Sequence, residues 1–214
     1  MRRHTCVVLI AFFITAEIVT GSLTENAQQR IANSTVESKN TLLSAPRVRP
    51  VAHLDRALQD AIRILSNNNL CSHFFGDTKT AAEVLPRLTS RFEVHLLRDS
   101  RIGIEMSGAF TYFDQTEKHG AYRLFDAATI NIRGPFLKAK VFPADPSVPP
   151  VGGFRPNTRE ARVLMLLHEL AHLVKGHDGN WLVPDDGDDP ALSKHNTELI
   201  ESQCRAQILS LHER

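Results

Sequence analysis

The sequence predicts an α+β domain in which a mostly antiparallel sheet packs on two helices, one over residues 158–175 and one near the C-terminus. Two observations carry this. Between Phe92 and Val141 apolar residues alternate with polar ones, as at Phe92, Val94 and Leu96, and Gly103, Gly108, Gly120 and Gly134 punctuate the run. That is the pattern of short strands joined by turns. On either side, the apolar spacing changes to three and four, the period of a helix.

A chain of 214 residues suits one domain, and 42% hydrophobic with 23% charged residues is enough to bury a core. A net charge of +1 gives no electrostatic basis for a nucleic acid or anionic membrane partner. Arg2 and Arg3 precede a run from Val7 to Val19 that is apolar apart from Thr15 and Glu17, with small Gly21 after it. This is the form of a secretory signal peptide over 1–21, and the run is shorter than the ~20 residues that span a bilayer. The expected location is therefore secreted or periplasmic, with no membrane span in the mature chain. Residues 22–50, rich in Ser, Thr, Asn, Gln and charge, read as a disordered linker, and 51–214 as the folded domain.

Leu54, Ala57, Leu58, Ala61, Ile62 and Leu65 follow helical spacing and predict a first core helix from about Ala52, closed by the turn-forming run at Asn67, Asn68 and Asn69. Once Cys6 leaves with the signal, Cys71 and Cys204 remain as an even pair in an oxidising compartment and are expected to bond. Asp77 or Thr78 can cap a second helix through Ala81, Val84, Leu85 and Leu88, with Pro86 as a kink or an early end. The strands follow. Asn157 or Thr158 then caps the helix that should run to Lys175, where Gly176 can close it. Ser193 or Asn196 opens the last helix, whose stripe of Ile200, Cys204 and Ile208 turns inward.

The chemistry sits in HELAHLVKGH at 168–177. On a helix, His168 and His172 share one face about 5–6 Å apart and can aim two imidazoles at one ion, with Glu169 at the edge of that face. Their neighbours Met165, Leu166, Leu167, Leu170, Ala171, Leu173 and Val174 are uncharged. Three polar groups in such a helix cost several kcal/mol unless partnered. Zinc accepts two imidazoles and a third protein ligand and keeps a position for water, from which a neighbouring carboxylate takes a proton. This is the HExxH arrangement.

On these residues the chain resembles the zincin superfamily of metallopeptidases. The resemblance implies a zincin-like fold, a Zn2+ cofactor, Glu169 as general base, and a sheet edge that holds an extended peptide or protein substrate. It offers three kinds of third ligand. Asp178 stands ten positions after His168, where metzincins place theirs, although Lys175 occupies the position of their turning glycine. Glu198 or Glu201 would supply a glutamate from the following helix, as in gluzincins. The chain is also similar to a set of exported bacterial HExxH proteins through Asp186, Ser193, Asn196, Thr197 and Cys204. Upstream, that similarity extends to Cys71, Phe74, Phe75, YRLF at 122–125, Asn131, Gly134, Pro135 and Phe136. It covers roughly residues 65–205 and favours Asp186.

Simpler roles stand beside these. Asp185, Asp186, Asp188 and Asp189 fit a solvated acidic loop. Asn196 fits a helix cap, and His177 and His195 are candidates to polarise a substrate carbonyl. The expected activity is that of a secreted zinc hydrolase, a metallopeptidase. The alternative is a zinc-stabilised binding module without turnover.

Overall fold

The computed structural model describes residues 48–76, 78–113, 120–139 and 148–213. The signal segment 1–21 and linker residues 22–47 lie outside them.

Helix α1, Val48–Leu65, begins inside the stretch read as linker, because Pro50 falls in the first turn, where a missing N–H breaks no helical bond. It buries Ala57, Ala61, Ile64 and Leu65, with Leu54, Leu58 and Ile62 at the margin of that face. A short helix α2, Leu70–Phe74, follows, which the sequence reading did not anticipate. Asn69 caps it by accepting from the Ser72 amide at 2.9 Å, and the Ser72 hydroxyl accepts from the Asn69 amide at 3.1 Å. The Asn-x-x-Ser spacing was its signal. Helix α3, Thr78–Thr89, continues through Pro86 and does not end there.

The sheet has three strands, β1 (Phe92–His95), β2 (Ile104–Phe113) and β3 (Tyr122–Asn131), in the order β1-β3-β2. The short alternations in the sequence therefore merge into three strands, two of them ten residues long. β2 and β3 are antiparallel, from Ile104 opposite Ile130 to Phe113 opposite Tyr122, with an irregularity between Ser107 and Phe110. β1 and β3 are parallel, a departure from the antiparallel expectation. It arises because the chain turns back after β1 but leaves one strand's width, which β3 fills.

Helix α4, Arg159–Ala171, carries the histidine motif, and α5, Pro190–Leu209, ends in a 3₁₀ turn over Ser210–Glu213. Thr158 caps α4 by accepting from the Ala161 amide. The cap of α5 is Asp189, with Pro190 in its first turn, and not the expected Ser193 or Asn196. Packed against both α1 and α5, α4 is buried on nearly every side. Asp60 of α1 takes two bonds from the Arg159 guanidinium, at 2.6 and 2.7 Å, which fixes where α4 starts.

The helix stops four residues before the expected Lys175. The carbonyls just past its end are claimed by the sheet: the Arg123 side chain donates from Nε to the His172 carbonyl at 2.7 Å, and the Arg123 amide donates to the Leu173 carbonyl at 2.8 Å. Leu173 and Val174 thus leave the helix for the start of β3, and Gly176 does not take a positive φ.

Cys71 and Cys204 are disulfide-bonded across 133 residues and join α2 to α5. Substituting both by serine is expected to cost about 2–5 kcal/mol of unfolding free energy, measured by urea denaturation at equilibrium. A loss below about 0.5 kcal/mol would show that α5 docks without it. Among the described residues, no helix is long and apolar enough to cross a membrane.

Candidate metal centre

His168 lies in the last turn of α4 and His172 is its C-cap, and both are buried. One helical turn apart, their Nε2 atoms come within 3.2 Å. The third group arrives from the loop between α4 and α5. Asp186 sets Oδ2 3.2 Å from His168 Nε2 and Oδ1 3.5 Å from His172 Nε2. Among the described residues, His168, His172 and Asp186 form the group of His, Cys, Asp and Glu side chains able to hold a metal ion.

The loop is held by its own backbone. The Asp189 amide donates to the Asp186 carbonyl at 2.8 Å, and the Asp189 side chain then caps α5 through the Ala191 and Leu192 amides. Asn196, fully buried, donates from Nδ2 to the Pro184 carbonyl at 3.1 Å. Of the acidic run, Asp186 enters the site and Asp189 caps a helix, while Asp185 and Asp188 are exposed.

Behind the donors, Thr197 Oγ1 lies 3.0 Å from His168 Nδ1 and donates to the Ser193 carbonyl at 2.9 Å. The Arg123 guanidinium that holds the His172 carbonyl sits between the rings of Phe110 and Trp181, 4.2 and 4.4 Å from their centroids. Residue type and spacing alone point to neither role. Thr197 entered only through a family resemblance, and Arg123 only as part of YRLF.

Burial lowers the His168 pKa, with His172 adding to the effect and Asp186 opposing it. For Asp186, burial pushes the carboxyl up, but the facing imidazoles outweigh this and hold it well below the ordinary range. Burial raises the Glu169 carboxyl well above its usual value, and the negative Asp186 adds to that. The two carboxyls are thus shifted in opposite directions.

A cation suits this arrangement on the structure's own terms. Asp186 Oδ2 is buried and, although close to His168 Nε2, meets no donor with hydrogen-bond geometry. An unsatisfied buried acceptor costs about 1–3 kcal/mol, which an ion at the convergence point would offset. Two imidazoles and one carboxylate oxygen form a donor set suited to a first-row transition ion or zinc more than to calcium or magnesium.

The other candidate ligands are engaged elsewhere. Asp178 accepts from the Asn180 amide and side chain in an exposed turn, and Glu198 faces Lys194 in solvent. Glu201 is buried but accepts from the Gly153 amide at 2.9 Å and pairs with Arg205. Its carboxylate presses on Gly152, whose φ of +56° and lack of a Cβ allow the approach. Glu201 therefore anchors the loop leading into α4. His177 and His195 are both exposed and join no cluster with the donors. Comparison of the chain with protein-family models, curated proteins and solved structures gives no match.

Proposed function

We propose that the chain is a secreted zinc-dependent hydrolase, a metallopeptidase in which His168, His172 and Asp186 hold the ion and Glu169 is the general base. One observation carries the reading. Zinc bonds of about 2.0–2.1 Å at tetrahedral angles put neighbouring donors about 3.3 Å apart. The two imidazole nitrogens are 3.2 Å apart, and the two Asp186 oxygens lie 3.2 Å from His168 and 3.5 Å from His172; taking one atom from each residue, all three donors fall within 4.8 Å of one another.

Three protein donors leave a coordination position open, whereas structural zinc sites are closed by four and commonly use cysteine. Cys71 and Cys204 are committed to each other. Bound zinc supplies a Lewis acid that makes water nucleophilic near neutral pH and polarises a carbonyl. The chain's own part is proton handling. Glu169 follows His168 on α4, and its carboxylate would accept a proton from the attacking water and return it to the leaving nitrogen. An extended substrate has a place to bind: β2 packs on α4 and lies at an edge of the sheet, where a peptide can add as a further strand.

The test uses the purified mature chain with zinc on a mixed peptide library, with and without chelator. Cleavage that the chelator abolishes and added zinc restores is the expected result. Stoichiometric zinc without cleavage would favour the non-catalytic binding module, and absence of zinc binding would sink both.

A further inference from the structure

We propose that Thr197 is a positioning residue of the metal centre, selecting which nitrogen of His168 faces the ion. The inference rests on the metal reading of His168, His172 and Asp186. A threonine hydroxyl carries one hydrogen, and here it is directed to the Ser193 carbonyl at 2.9 Å. Towards His168 Nδ1, 3.0 Å away, Thr197 can therefore only accept. Nδ1 must carry the ring hydrogen, and Nε2 presents its lone pair towards His172 Nε2 and Asp186. A ligating imidazole is ordinarily fixed in this way by a carboxylate, a carbonyl or water. In this chain a hydroxyl backed by a helix carbonyl does it.

The two histidines differ in this respect. His172 Nδ1 is buried with no hydrogen-bond partner, so no contact at that nitrogen holds the ring from behind. His172 is located through its backbone instead, by Arg123. His168 is the ligand whose ring is pre-set. Thr197 also follows Asn196, which steadies the Pro184 carbonyl two residues before Asp186. Neighbouring residues of α5 thus set one donor's ring and another donor's loop. A merely structural threonine would need no contact with a ring nitrogen of a metal ligand.

Three measurements test this. Long-range 1H–15N spectra of the metal-free wild type should show His168 with its hydrogen on Nδ1; a hydrogen on Nε2 would overturn the proposal without any variant. Thr197→Val keeps the shape and removes the hydroxyl. It should weaken zinc binding by about 10–100-fold in competition with a chromophoric chelator, while Thr197→Ser stays within a few-fold of wild type. Wild-type affinity in Thr197→Val, or equal weakening in Thr197→Ser, would overturn it. A wild type that binds no zinc overturns the metal reading and this proposal together, and the wild-type titration alone identifies that case.

Discussion

Glu169→Gln is expected to lower peptide hydrolysis by about 10²–10⁴-fold while binding zinc as tightly as the wild type. The substitution keeps size and shape, turns one acceptor oxygen into an NH2 donor, and removes the charge and the ability to take a proton. Glu169 is not among the three converging donors, so the ion should remain. Its surroundings raise its basicity through burial and then through Asp186, and glutamine forfeits both effects. Rate and zinc content measured on the same preparation separate the roles: an active Glu169→Gln would remove Glu169 as the base, and loss of zinc would make it a ligand.

Asp186→Ala should weaken zinc binding by more than the about 10–100-fold typical of outer-layer partners, because it deletes a donor. The loop should keep its path. Its supports are the Asp189 amide on the Asp186 carbonyl and Asn196 on the Pro184 carbonyl, and neither uses the Asp186 side chain. Asp178→Ala and Glu198→Ala serve as controls and should bind zinc as the wild type does, since both side chains lie in exposed local pairings. Equal weakening by Asp178→Ala, or none by Asp186→Ala, would reassign the third ligand. The measurement is chelator competition at fixed pH.

Features set by neighbouring residues were legible in the sequence. The i, i+4 histidines follow from helix geometry, and the inward stripe of Ile200, Cys204 and Ile208 is buried as its spacing required. What was not legible depends on contacts between distant segments. The end of α4 is decided by Arg123, forty-nine positions before His172, and no residue near Lys175 announces it. The parallel pairing of β1 with β3 is likewise invisible to alternation, which gives the faces of a strand and not its direction. Glu201 and Asp186 were both eligible acids by type and separation, and only the approach of Gly152 and Gly153 gives Glu201 a different task.

The early stop of α4 bears on the electrostatics of its two histidines. Peptide dipoles along a helix leave about half a negative charge at its C-terminal end, an effect confined to the last turn and worth about 0.3–1 kcal/mol at a typical site. Had α4 run on to Lys175, His168 would have stood about two turns inside that pole and His172 a little under one. Ending at Ala171, the helix places one imidazole in its final turn and the other on its cap. The backbone field there favours a cation, and Arg123 and a divalent ion would draw on the same pole from different sides of one residue.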